Sequence, residues 1–372
     1  MASTRKQPVD FRKEEVEFVT KCWKSATSLS LVGIGSVGKS NLLQHLSDTD
    51  VQARYLGEFS GKLKTIVIDA NMLGPLPAER DDPFRCWAGY ELLMHRLFLA
   101  FFPLDVLPKE EAKGFYETYQ ALQDGSNPLF TYMALRYFEL GLEYFMRHDI
   151  SIVFLFDEFE ELLRQLPVKF FQTLRGLRDL NKRRLSYVTL SRSPLPTLVE
   201  RFGIPTLEIE PFVELFTDNT YYVGPYNEVD GRRMLDELVR RRQQAYPEPL
   251  NYALLEATGR YAGILRASFN VLEEFNGVDL ARLPADQFAA LLAGKPSVRS
   301  ECMTIWTSLN RSEQHVLKAV ARLTPYTVNP ESELAVHMLV QKRILRFDKG
   351  GQRLEITPPI LNQFVLSNPD PT

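Results

Sequence analysis

The sequence of 372 residues predicts an α/β fold with a mostly parallel sheet, followed by a helical region and a small C-terminal unit of helices and a hairpin. Two observations favour this fold. The first is a continuous apolar run at residues 152–156, which is typical of a strand buried on both faces of a parallel sheet. The second is the alternation of such runs with helical patterns up to residue 224, after which no strand pattern recurs until residue 344.

The predicted core elements follow in chain order. Strands are predicted at residues 28–32, 64–69, 152–156 and 185–190, with a weaker one at 221–223. A helix is predicted to leave the first strand at residues 41–46, and another covers 168–181. Residues 82–148 read as a helical insertion rich in aromatic side chains, with two long helices at 83–102 and 128–147.

Three domains are predicted. Residues 1–224 form the α/β domain with its insertion at about 82–148, and 225–294 form an α-helical domain with helices at 228–245, 252–257, 262–275 and 285–293. Residues 294–296, Gly-Lys-Pro, mark a boundary. Residues 297–368 are predicted to be a winged helix, with helices at 299–308, 312–322 and 331–342 and a hairpin of 344–348 with 354–356.

Composition excludes several classes of protein. The formal net charge is slightly negative, at −3, so the chain as a whole is not expected to bind polyanions strongly. Cys22, Cys86 and Cys302 form no C-x-x-C pair, which fits a reducing cytoplasm. No apolar run reaches the length of a membrane span, so a cytoplasmic protein without membrane contact is expected.

A glycine-rich motif between the first strand and the following helix predicts a phosphate-binding loop. The pattern G-x-x-x-x-G-K-[ST] is complete at residues 33–40, called the phosphate loop below. Its backbone amides would wrap a polyphosphate, Lys39 would reach the β- and γ-phosphates, and Ser40 would hold Mg²⁺. The helix beginning at Asn41 would add its positive N-terminal dipole. The residues predicted to bind ATP are Gly33, Gly35, Ser36, Val37, Gly38, Lys39, Ser40 and Asn41.

Two acidic residues end the central apolar strand. Asp157 is predicted to be a second Mg²⁺ ligand, and Glu158 to polarise the water that attacks the γ-phosphate. The alternative is an N-cap aspartate followed by a first-turn glutamate. The intact phosphate loop upstream favours the functional interpretation.

Three arginines are candidates for contact with the nucleotide. Arg192 follows the strand at 185–190 and could stabilise charge on the γ-phosphate, the alternative being a solvated strand-end charge. In the helical domain, Arg260 or Arg266 could sense the γ-phosphate, and the sequence does not choose between them. A glycine turn with surface arginines is the alternative there.

These motifs together resemble the STAND class of AAA+-related ATPases. The details that match, in chain order, are the phosphate loop, Asp157-Glu158-Phe159-Glu160, residues 170–175, the strand that ends in Ser191-Arg192, and Val223-Gly224-Pro225 before the helical domain. Where family members read G-R-H-P or G-G-H-P, this chain has Gly259-Arg260-Tyr261-Ala262. The resemblance implies a five-stranded core, a helical lid and a winged helix that close on ATP, and a switch that is off with ADP and on with ATP.

Two functions fit this resemblance. The favoured hypothesis is an ATP-hydrolysing switch that acts through a partner protein or by self-assembly, because no effector domain accompanies the three predicted domains. The alternative is a DNA-binding AAA+ ATPase similar to origin-recognition or transposition regulators. Charge disfavours the alternative, because residues 297–372 are nearly balanced between basic and acidic side chains, and Glu331 and Glu333 begin the candidate recognition helix.

Overall fold

The computed structural model describes residues 7–73, 76, 81–126, 129–275, 279–348, 350–351 and 353–368. The chain divides into two compact units. The first comprises residues 1–32 and 40–221, and the second comprises residues 33–39 and 222–372. Residues 33–39 of the phosphate loop therefore belong to the second unit, although the residues on either side of them belong to the first.

A five-stranded sheet with the order β2-β3-β4-β1-β5 organises the first unit. The pairings of β2 with β3, β3 with β4 and β4 with β1 are all parallel. This sheet confirms the predicted α/β fold, and its strands are β1 (Leu29–Val32), β2 (Leu63–Asp69), β3 (Ser151–Asp157), β4 (Leu185–Ser191) and β5 (Thr220–Tyr222).

Helices connect and flank these strands. The long helix α4 begins where the Asp81 side chain accepts a hydrogen bond from the Phe84 amide at 3.2 Å, with Pro83 in the first turn. In chain order the helices are α1 (Lys13–Lys24), α2 (Lys39–Leu46), α3 (Thr49–Leu56), α4 (Asp82–Phe101), α5 (Lys109–Gln123), α6 (Phe130–Met146), α7 (Phe159–Gln165), α8 (Val168–Leu180), α9 (Leu195–Arg201) and α10 (Thr206–Val213).

The predicted insertion is a three-helix layer formed by α4, α5 and α6. Its two long helices match the predicted 83–102 and 128–147, apart from residues 127 and 128, which lie outside the described residues. Helix α5 lies between them and was not predicted as a separate element. Aromatic side chains join the layer, for instance Phe101 and Phe145, whose ring centroids are 3.8 Å apart. One buried apolar cluster runs from this layer into the sheet.

Among its described residues, the second unit consists of helices, their connections and one antiparallel strand pair, β6 with β7. Its elements are α11 (Glu228–Arg242), α12 (Glu248–Thr258), α13 (Ala262–Asn270), α14 (Ala285–Ala293), α15 (Pro296–Ser308), α16 (Arg311–Arg322), α17 (Pro330–Gln341), β6 (Leu345–Phe347), β7 (Leu354–Ile356) and α18 (Pro359–Ser367). Helices followed by a hairpin match the predicted order, although Lys349, one of the predicted turn residues, and Gln352 lie outside the described residues.

Two helix ends differ from the prediction for local reasons. Helix α11 ends at Arg242 rather than at residue 245, because Gln243 adopts a left-handed φ of 55° and Pro247 follows shortly after. Helix α13 ends at Asn270, and the predicted remainder contains a 3₁₀ turn at Leu272–Glu274. Helix α18 was not among the predicted elements. Among the described residues, no helix has the length and apolar character needed to cross a membrane.

The first prediction concerns the packing of α4. A Cβ added at Gly89 would lie 2.5 Å from Cε2 of Phe170, whereas a Cβ at Gly176 of α8 would meet nothing within 4 Å. Both alanine variants gain the same helix propensity, so their difference isolates the steric cost. We expect the free energy of unfolding of Gly89→Ala to be about 1–3 kcal/mol below that of Gly176→Ala, measured by urea denaturation. Equal stabilities would show that Phe170 moves aside freely.

Candidate functional site

The phosphate loop adopts the strongly turned backbone that its glycines permit. Gly38 has a φ of +86° and Ser36 a φ of +67°, both in the left-handed region. The Lys39 ammonium donates to the carbonyl oxygens of Gly33 and Ile34, at 2.5 and 3.3 Å. Helix α2 begins at Lys39, so its N-terminal amides directly follow the loop.

Helices of the second unit approach this loop closely. The amide of Gly263 on α13 donates to the carbonyl oxygen of Ser36 at 2.9 Å. A Cβ at Gly35 would lie 2.6 Å from Cγ2 of Thr304, and a Cβ at Gly38 would lie 2.8 Å from the Tyr226 hydroxyl oxygen. Glycine is therefore required at both loop positions for packing within this unit, in addition to any role in binding phosphate.

The two predicted Mg²⁺ ligands lie near each other in the first unit. Asp157 ends β3, and its Oδ2 is 3.5 Å from the Ser40 hydroxyl. Mg²⁺ in nucleotide sites is held by one or two carboxylates together with substrate phosphates, so a hydroxyl beside one carboxylate suits it. Across the described residues, no group of three or more His, Cys, Asp or Glu side chains could hold a metal ion by itself.

Glu158 is held in place from several directions. Its backbone is left-handed, with φ 47° and ψ 48°, and its amide donates to Oδ1 of Asp157 at 3.0 Å. Its carboxylate accepts a hydrogen bond from the Asn71 amide nitrogen at 3.1 Å and lies 3.4 Å from an Arg192 nitrogen. Sparsely populated backbone conformations of this kind concentrate at functional sites, where the surrounding contacts maintain them.

Asn71 is a site residue that sequence reasoning missed. It lies in the 3₁₀ turn at Ala70–Leu73 that follows β2. Its backbone amide and its side-chain amide both donate to Oδ1 of Asp69, at 2.9 and 3.0 Å. Asp69 is the register partner of Asp157 in the sheet, which brings the two strand ends together. A signal was present, because Asn71 is a polar residue just beyond the carboxyl end of a predicted parallel strand.

Arg192, the residue predicted to stabilise charge on the γ-phosphate, lies beside Glu158. Its guanidinium forms ion pairs with Glu158 at 3.4 Å and with the nearly buried Glu160 at 3.5 Å. The side chain is 40% exposed, so it combines two carboxylate partners with access to solvent.

The two candidate arginines of the helical domain have different surroundings. Arg260 has a left-handed φ of 61°, and its guanidinium binds the Tyr226 carbonyl at 3.2 Å and approaches Glu256 at 3.7 Å. Arg266 is 62% exposed and lies 3.8 Å from a carboxylate oxygen of Glu301. The other oxygen of Glu301 accepts a hydrogen bond from the Ser36 hydroxyl of the phosphate loop. Arg266 therefore shares a carboxylate partner with the loop, whereas Arg260 binds the backbone of Tyr226, whose side chain packs against Gly38.

Two further residues predicted to bind ATP, Val37 and Asn41, differ in their exposure to solvent. Val37 is fully buried, so any contribution of this residue to phosphate binding would come from its backbone. Asn41 is exposed on the first turn of α2.

Comparisons with known proteins place this fold. A Walker-type ATPase of Pyrococcus abyssi superposes with a TM-score of 0.54 at 16% sequence identity, over 98% of this chain and 99% of that one. The ORC2 protein of Aeropyrum pernix, described in ADPNP–ADP complexes, superposes with a TM-score of 0.52 at 13% identity, over 99% and 96% of the two chains. Neither a protein-family model nor a curated protein sequence matches the chain. At these identities the similarity shows that the chain shares its fold with these two proteins.

Proposed function

We propose that the protein is an ATP-binding and ATP-hydrolysing molecular switch of the STAND and AAA+ type. The observation that carries this proposal is the intact phosphate loop together with Ser40, whose hydroxyl lies 3.5 Å from Asp157 at the end of β3, with Glu158 directly following. The fold shared with a Walker-type ATPase over nearly the whole chain supports it.

Each residue of the site has a role in this mechanism. The loop amides and Lys39 bind the β- and γ-phosphates, while Ser40 and Asp157 hold Mg²⁺. Bound there, Mg²⁺ would neutralise charge on the phosphate oxygens. Glu158 orients the attacking water and accepts its proton, and Arg192 stabilises charge on the γ-phosphate.

The setting of the loop favours a switch over a metabolic enzyme. Residues 33–39 contact Tyr226, Gly263, Glu301 and Thr304, which belong to the helical and C-terminal regions of the second unit. A change at the loop on exchange of ADP for ATP is therefore transmitted to α13 and α15. The output of the switch would be the recruitment of a partner protein or self-assembly.

DNA remains the less favoured partner. The first turn of α17, the candidate recognition helix, exposes Glu331 and Glu333, which would repel phosphate. Three of the five arginines of the basic helix α11, Arg232, Arg233 and Arg241, pair with carboxylates of the same unit, which reduces the charge that this helix offers to phosphate.

The second prediction tests the proposed activity directly. Lys39→Ala removes the ammonium that binds the β- and γ-phosphates, so ATP binding measured by calorimetry should be lost. Glu158→Gln keeps the shape of the side chain but removes the base, so binding should persist while turnover falls about 10²- to 10⁴-fold. Retained affinity in Lys39→Ala would overturn the proposal, and undiminished turnover in Glu158→Gln would assign the base elsewhere.

The third prediction concerns Asn71. Its hydrogen bond occupies one oxygen of Glu158, so that this oxygen is not available to the attacking water. Asn71→Ala should therefore raise basal ATP turnover several-fold and leave the dissociation constant for ATP nearly unchanged. Because Glu158 remains essential, the double variant with Glu158→Gln should be as inactive as Glu158→Gln alone. A fall in turnover in Asn71→Ala would instead make Asn71 a residue that aligns Glu158 productively.

The fourth prediction distinguishes the two arginines. The sequence left them equivalent, but Arg266 faces Glu301, whose carboxylate also accepts a hydrogen bond from Ser36 of the phosphate loop, whereas Arg260 faces Glu256 and the Tyr226 carbonyl. Arg266→Ala should therefore reduce the preference for ATP over ADP about tenfold, as expected for the loss of one charge-assisted contact. Arg260→Ala is the matched control, with binding ratios near those of the wild type. The opposite ranking in parallel titrations would assign the sensor to Arg260.

A further inference from the structure

Glu301 connects α15 to the phosphate loop through its two carboxylate oxygens. One oxygen, Oε2, accepts a hydrogen bond from the Ser36 hydroxyl, and the other lies 3.8 Å from the Arg266 guanidinium. The side chain is 26% exposed, so water screens it only in part. No motif in the sequence pointed to this residue.

The backbone around this contact is shaped to permit it. Gly263 donates its amide to the Ser36 carbonyl, and a Cβ at this position would lie 2.7 Å from the Ser36 hydroxyl oxygen and would also meet Oε2 of Glu301. Thr304, one turn beyond Glu301 on the same face of α15, lies against Gly35. Two successive turns of α15 thus lie directly on the loop.

The two donors that Glu301 contacts, Ser36 and Arg266, are of the kind that bind phosphate. A hydroxyl within a phosphate loop and a nearby guanidinium are both suited to phosphate oxygens, and a carboxylate offers them the same paired anionic acceptors. A nucleoside triphosphate bound in the loop would bring several negative charges close to this carboxylate. Like charges at short range in a partly buried setting repel strongly, so the two anions compete.

We propose that Glu301 is a carboxylate latch, meaning that its contact with Ser36 and Arg266 opposes nucleotide binding and is displaced by the phosphates. This inference rests on the proposed function, because it concerns the regulation of the same loop. Displacement frees Arg266 to contact phosphate and releases α15 from the loop. If nucleotide binding weakens the contact of α15 with the loop by some factor, linkage requires the reverse effect. A partner that draws α15 away from the loop then raises the affinity for nucleotide by that same factor.

Glu301→Gln tests the latch with little change of shape. The amide oxygen can still accept from Ser36, but the negative charge is gone. The dissociation constant of the full chain for Mg²⁺-ATP, measured by calorimetry, should fall about tenfold. Glu274→Gln is the matched control, because Glu274 also loses an ion pair of the second unit, with Lys295 at 2.8 Å, and should leave the dissociation constant unchanged.

A double-mutant cycle and a structural readout locate the effect. If Glu301 acts through Ser36, the gain from Glu301→Gln should shrink in a Ser36→Ala background. Amide hydrogen exchange in α15 should rise when ATP binds the wild type and should already be raised in nucleotide-free Glu301→Gln.

The outcomes separate the latch from the proposed function. If the wild type and Glu301→Gln both fail to bind ATP, the proposed function is overturned, and the latch with it. If the wild type binds ATP and Lys39→Ala does not, an unchanged or weaker affinity in Glu301→Gln overturns the latch alone. Exchange in α15 that is indifferent to ATP would also overturn it.

Discussion

The close approach of backbone to backbone at residues 33–39 is the constraint on which the second unit depends. The Ser36 carbonyl receives the Gly263 amide at 2.9 Å, and side chains at Gly35 and Gly38 would collide with Thr304 and Tyr226. A loop that binds phosphate through its amides needs an accessible backbone, and the same accessibility lets the second unit pack against it. The glycines of the motif therefore permit this packing and, under the proposed function, also the binding of phosphate. A substitution at Gly35 or Gly38 would disturb both ligand binding and the packing of this unit.

Patterns that depend on neighbouring residues were predicted well from the sequence. Strand β3 was recognised because burial on both faces makes its run almost wholly apolar. The phosphate loop is a contiguous motif whose spacing alone identifies it. Helix α11 was recognised, but its end was missed because the left-handed Gln243 has no strong local signature.

Residues that depend on contacts between distant segments were not predicted. Asn71 contacts Glu158 across 87 positions, and Glu301 contacts Ser36 across 265. Neither belongs to a motif, and an asparagine after a strand or a glutamate on a helix has many ordinary explanations. The choice between Arg260 and Arg266 needed the same kind of information. Their side chains are chemically identical, and their different partners distinguish them, Glu301 for Arg266 and Glu256 with the Tyr226 carbonyl for Arg260.

The two glutamates share a principle that explains how such a site can regulate itself. Each carboxylate is held by a neutral polar donor and an arginine: Asn71 and Arg192 for Glu158, Ser36 and Arg266 for Glu301. A carboxylate held in this way is stable only while its donors have no better acceptor. Phosphate, with more charge and more oxygens, is a better acceptor for arginine and hydroxyl donors. Under the proposed function, arrival of a triphosphate would weaken the restraint on each glutamate. Release of Glu158 would enable hydrolysis, whereas release of Glu301 would retain the nucleotide. A site built this way responds to the number of phosphates bound, which is the property that an ATP-dependent switch requires.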